Sequence, residues 1–198
     1  VSRKKKNRKK SQFLIIAGCT IDIPGDEIDM LPSYIIKLNK IIFSKQTPDW
    51  CKLEYPNHKH GCPNYNKSDR CPPKAPFLYT VFDINYPLYL VHSEFNLTNH
   101  INKMKKKLPH WTDRQLRNVL YWQDTSRGQL RQRIEEAHML LGTIHAETTP
   151  EAMGVNVYAT AVLNGLHLDR IRHLKTCRHV AFVGTKLGDK SLELFDLL

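Results

Sequence analysis

Three cysteines in one proline-rich stretch are the residues best equipped for chemistry. Residues 47–76 include Trp50-Cys51, then His58-Lys59-His60-Gly61-Cys62-Pro63-Asn64-Tyr65, then Cys71-Pro72-Pro73, with six prolines and little apolar periodicity. Thiolates are soft ligands that suit zinc or iron–sulfur clusters. Structural zinc sites pair their ligands about two to four residues apart on tight turns. Here ten residues separate Cys51 from Cys62, and eight separate Cys62 from Cys71. Cys62 and Cys71 are each followed by proline, as is the last cysteine of a bacterial ferredoxin run. Proline fixes the backbone and turns the chain away from a cluster. Three readings stay open: an iron–sulfur cluster (4Fe-4S), which the spacing favours, a zinc site, or no metal. Three thiolates on a four-iron cluster leave one iron for His58 or His60, or open to a substrate. A structureless loop of this length is uncommon in a compact domain, and a bound centre would organise it.

The elements that must position this loop read as follows. Residues 12–23 alternate as one β-strand ending at Pro24-Gly25, and Asp26 or Asp29 caps a helix running to about Phe43. Residues 77–84 and 88–95 are rich in β-branched and aromatic side chains and read as strands. Asn96 or Thr98 caps a helix to about Lys107, and residues 111–123 and 126–141 read as two more. Thr149-Pro150-Glu151 starts a helix to about Leu163, and residues 178–185 form a closing strand. The expected fold is α/β: a single sandwich domain over 12–198 with a mixed sheet, flanking helices and a metal loop at 47–76. Residues 1–11 read as a disordered basic arm.

Charge is unevenly placed along the 198 residues. The formal net charge is +11, with seven Lys or Arg and no acid in residues 1–10. Residues 100–133 hold nine basic residues against Asp113 and Asp124, and the remainder is mildly acidic. Clustered positive charge is the footprint of a polyanion binder, so nucleic acid is the expected partner. Lys105, Lys106, Arg114, Arg117, Arg127 and Arg131 are the candidate contacts, because guanidinium grips phosphate with two nitrogens. Trp111 and Trp122 could stack bases, though aromatics at helical spacing usually anchor a core.

Two further signals bear on compartment and chemistry. A basic block before residues 13–19 imitates an export signal, but its apolar run is only six residues, below the roughly 7–15 such a signal needs. No apolar run approaches the roughly 20 residues of a membrane helix, and an odd cysteine count argues against a disulfide framework, so a cytoplasmic protein is expected. Cys19 reads as a packing residue; Cys177, beside Arg178 and His179, is either packed or an activated thiol. Glu135 and His138 lie three apart on one helix face, a pairing common by chance. Hydrolase elbows, phosphate-binding loops and dinucleotide fingerprints are absent from the sequence.

Two blocks carry a family resemblance. Gly61-Cys62-Pro63-Asn64-Tyr65 with Cys71-Pro72-Pro73-Lys74-Ala75-Pro76, and Glu151-Ala152-Met153-Gly154-Val155-Asn156-Val157, resemble the signature of a cysteine-rich family of predicted metal-binding proteins of unknown function. The likeness covers about residues 50–187 and implies an α/β domain with an iron–sulfur or other metal centre. Two positions depart from it. His58 stands where the family usually has its first cysteine, and residues 142–147 contain no cysteine where members usually carry a second, ferredoxin-like cluster. With one centre left, an electron relay is disfavoured. The expected activity is modification of a base in RNA or DNA, of the sulfur-transfer type, which uses a cluster with an open iron. The alternative is a non-catalytic nucleic-acid-binding module with a structural zinc or cluster.

Overall fold

The computed structural model describes residues 31–54, 58–143, 145–170 and 173–188, together with the backbone of 12–16 and 19–23. The basic arm at 1–11 lies outside them. The chain divides into two compact units, Val1–Ser33 and Tyr34–Leu198. In the first, β1 (Gln12–Ile16) pairs antiparallel with β2 (Cys19–Ile23), Gln12 opposite Ile23 and Ile16 opposite Cys19. The single strand expected over 12–23 is therefore two, over 12–16 and 19–23.

The second unit is built on a four-stranded sheet in the order β3 (Ile35–Lys37), β4 (Tyr89–His92), β8 (Val180–Gly184), β6 (His145–Glu147). Every pairing in it is antiparallel, with Ile35 opposite Val91, Leu90 opposite Phe182 and Ala146 opposite Val183. This corrects the expected mixed sheet. Ala181, Phe182 and Val183 are all fully buried, so β8 has the unbroken apolar text usual in parallel strands. The cause here is cover on both faces. Leu90 and Phe182 join a cluster with Leu78, Phe82, Met153, Val155 and, from α4 (Val157–Leu163), Val157 and Ala161. Alternation along the strands sends Val91, Ala181 and Val183 to the other face. The long helix α3 (Gln123–Leu141) contributes nothing to that cluster and packs against β4 and β8.

Local chemistry explains which helices form. Asn96 caps α1 (Leu97–Lys107) by accepting from the Asn99 N–H at 2.8 Å, as expected. The helix expected over 111–123 is instead α2 (Asp113–Leu116), closed by a Thr112/Gln115 capping box, followed by a 3-10 turn at Val119–Tyr121. Asn118 ends the first piece by offering its side chain to the Leu120 N–H at 3.1 Å. The helix expected to begin at Thr149 begins only at Val157, capped by Asn156. Gly154 holds φ +86°, which no helix accepts, and a Cβ there would lie 2.9 Å from the Phe77 ring.

Two non-local effects overturn the remaining expectations. No helix occupies 31–43; Ile35 and Ile36 sit in β3, where β-branched residues suit a pleated surface. Residues 77–84 are a 3-10 turn at Leu78–Thr80 and an isolated bridge from Phe82 to Lys186. The Leu78 N–H is taken by the Met153 carbonyl at 3.1 Å, and the Thr80 hydroxyl donates to its own turn at Phe77 O. A small two-stranded sheet pairs β5 (Phe95–Asn96) with β7 (Thr176–Cys177). Among the described residues no helix is long and apolar enough to cross a membrane.

A cysteine loop beside an arginine-lined cavity

Cys51 closes a 3-10 turn at Thr47–Lys52, and the chain returns to it at Cys62, whose N–H donates to the Cys51 carbonyl at 2.7 Å. The crossing is tight enough to demand glycine at the preceding position. Gly61 has φ +78°, and a Cβ there would sit 2.4 Å from the Cys51 oxygen. Tyr65 N–H then donates to Cys62 O, Cys71 N–H to Ser68 O, and Ala75 N–H to Cys71 O. The Asn66 N–H closes the excursion on Pro72 O at 2.8 Å. Backbone turns therefore give this stretch much of the order that the sequence assigns to a metal.

All three cysteines of the loop are free and half-buried. The thiol of Cys51 is pushed up first by burial, then by the charges of Cys62, Cys71 and Glu151, so the three sulfurs and one carboxylate share a field. They do not form a closed ligand set: among the described residues no group of three His, Cys, Asp or Glu side chains is arranged to hold a metal ion. His58 is half-buried and accepts from the Gly61 N–H at 3.1 Å through its carbonyl, while His60 is exposed. Thiols are the donor type that suits a soft metal, and the three lie close enough for their charges to bear on Cys51, but the described side chains are not arranged as a ligand set.

The loop is tied to the sheet by Arg70, whose Nη2 lies 3.3 Å from Glu147 Oε2 and 3.4 Å from Thr148 Oγ1. Thr148 also lines a cavity of about 460 Å³. One wall is α3, where Arg127, Leu130, Arg131 and Ile134 fall on one face at helical spacing. The others are Thr148, Thr149 and Glu151, then Arg178, His179 and Val180. Among the described residues neither Arg127 nor Arg131 has a hydrogen bond or ion pair. Arg178 is different. Its Nη2 holds Glu94 Oε1 at 2.7 Å, keeping that carboxyl below its ordinary range, while its Nε is shut from solvent without a partner. An unmatched buried donor of this kind costs about 1–3 kcal/mol.

Burial, then the charge of Arg127, pushes the His179 imidazole down, favouring its neutral form. Its Nδ1 is 2.9 Å from Ser126 Oγ, which is 2.8 Å from Ser93 Oγ, and both serines are buried. The Glu151 carboxyl is raised by burial, although the residue is solvent-accessible. A recessed position reconciles the two: on a cavity wall, protein crowds a group from several sides while solvent still reaches it.

The structure thus splits the expected basic contacts. Arg127 and Arg131 enter the cavity, whereas Lys105 and Lys106 lie exposed on the last turn of α1 and Arg114 is exposed on α2. Arg117 is engaged, its Nε 3.0 Å from Asp113 Oδ2 and its Nη1 3.3 Å from Leu174 O. Trp122 is a core anchor, stacked on Phe95 at 5.1 Å, and Trp111 packs against Tyr121. Cys177 is a packing residue rather than an activated thiol: it is buried, with its pKa pushed up to about 11 by burial. His138 bonds Thr143 at 3.2 Å, so the Glu135/His138 spacing builds nothing with it. Glu151, Arg178 and His179 are the cavity residues that sequence reasoning did not assign to a site; residues so far apart in the chain meet only through the fold. No protein-family model, no curated protein and no solved structure matches this chain.

Proposed function

We propose that the chain is a metal-binding protein in which Cys51, Cys62 and Cys71 hold a four-iron iron–sulfur cluster, and that it binds nucleic acid and modifies a base there. The observation that carries this reading is the return of the chain at Cys62, whose N–H meets the Cys51 carbonyl at 2.7 Å, with Cys71 near enough for its charge to bear on the Cys51 thiol. The motif likeness of 61–65 and 71–76 supports the choice of iron–sulfur over zinc. When bound, such a cluster supplies one iron without a cysteine ligand, an electrophilic position suited to sulfur chemistry.

The chain's own residues supply the rest. Lys105, Lys106, Arg114 and Arg117, with Arg127 and Arg131, neutralise phosphates. Glu151, kept protonated to higher pH than an ordinary glutamate by burial, is the candidate for proton exchange with a base, since a carboxyl tuned upward works closer to neutrality.

Anaerobic purification with iron, sulfide and zinc analysis tests the reading. The expected product is brown, with iron and sulfide lost on Cys62→Ala or Cys71→Ala. Stoichiometric zinc in a colourless protein selects the alternative, a non-catalytic binding module with a structural metal; absence of both metals overturns the proposal. For the partner, about six phosphate contacts predict roughly 10³-fold weaker binding between about 50 and 200 mM salt, and a flat response removes nucleic acid.

A further inference from the structure

Arg127 and Arg131 stand on successive turns of α3 in a cavity also lined by the apolar Leu130, Ile134 and Val180 and by Thr148 and Thr149. Both guanidinium groups are exposed to solvent at the cavity, and among the described residues neither is tied up in an ion pair, so each is available to an incoming anion. Beside them Arg178 commits one nitrogen to Glu94 and leaves its buried Nε unmatched.

We infer that this cavity is a binding site for a phosphomonoester, with the phosphate on Arg127 and Arg131 and the organic part over Leu130, Ile134 and Val180. The charge selects the class. Two guanidinium groups balance a dianion, which a free phosphomonoester or the terminal phosphate of a nucleic-acid strand supplies and a carboxylate does not. The guanidinium fork matches phosphate oxygens in pairs. The volume, about 460 Å³, exceeds that of phosphate alone and lies in the range of small-molecule pockets. Glu151 is the one acid among the lining residues, set against Arg127, Arg131 and Arg178. This inference is independent of any metal: it stands or falls whatever the cysteines hold.

The test uses the full chain titrated with inorganic phosphate and with a 5′-mononucleotide, followed by ³¹P NMR and thermal shift. Saturable binding is expected, weakened at least about tenfold in the Arg127→Gln/Arg131→Gln double variant. The exposed pair Lys40→Gln/Lys45→Gln removes equal charge elsewhere and is expected to change affinity by less than about twofold. Both arginines are exposed, and an unchanged melting temperature without ligand shows that the variant is folded. Lack of saturable binding by the native chain, equal affinity in the arginine variant, or an equal loss in the lysine control overturns the inference. A 5′-phosphorylated oligonucleotide and its 5′-hydroxyl twin, competed against inorganic phosphate, separate the sources. Competition by the phosphorylated form alone supports a chain end, and competition by the mononucleotide alone supports a free small molecule.

Discussion

The cysteine loop and the cavity adjoin one another through Glu151, yet they are built on opposite principles. The loop takes its shape from its own backbone turns, with Cys62 N–H on Cys51 O and Asn66 N–H on Pro72 O. The cavity takes its shape from elements ordered by the core, α3 on one side and β8 on another. Damage to the core should therefore reach the cavity before the loop, and damage to a turn should reach the loop alone.

The largest effect is expected from Phe182→Ala. Its ring is fully buried at the centre of the sheet cluster, and such truncations cost about 3–5 kcal/mol. Chemical denaturation measures the loss, and phosphate affinity should fall with it. Next is Gly61→Ala, which puts a Cβ 2.4 Å from Cys51 O at a positive φ. Backbone strain of this sort costs about 1–3 kcal/mol before the clash is added. Hydrogen exchange should show loosening confined to residues around 51–75, with β8 amides unchanged; loss of protection in β8 as well would break the contrast.

A smaller effect is expected from Glu94→Gln, which frees Arg178. The pair is partly exposed, with side-chain accessibilities of 46% for Glu94 and 16% for Arg178, so the loss is about 0.5–1 kcal/mol. The Arg178 hydrogen bond holds the Glu94 carboxyl below its ordinary 4.5. Its contribution is therefore complete above that pH and disappears as pH falls through the depressed value. Denaturation midpoints across acid pH should show native and variant proteins converging below it. The smallest effect is expected from Arg70→Gln, an exposed pair at 3.3 Å and worth less than about 0.5 kcal/mol. A larger loss would mean that the loop leans on the sheet more than its turns suggest.

What the sequence discloses follows the range of the forces involved. Asn96 capping α1, the face of α3, and a strand within 178–185 are readable because caps and periodicity are local. The stretch 77–84 misleads because its partners are Met153 and Lys186, and 35–36 because pairing with β4 outweighs an apolar face that also suits a helix. The same holds at the site. Arg127 and Arg131 are legible as a charged helical pair, but Arg178, His179 and Glu151 join them only through the sheet.

The serine pair behind His179 has a consequence of its own. Ser93 Oγ, Ser126 Oγ and His179 Nδ1 follow one another at 2.8 and 2.9 Å, and each hydroxyl has one proton to give. If the protons point from Ser93 toward the ring, Nδ1 accepts and Nε2 must carry the hydrogen; if they point the other way, Nδ1–H donates and Nε2 is bare. Rotating two hydroxyls thus accommodates either tautomer of the imidazole without moving a heavy atom, the ring proton itself passing between the nitrogens by exchange with solvent. A guest that reaches Nε2 would select, by its own need for a proton or a lone pair, the direction in which that buried relay is wound.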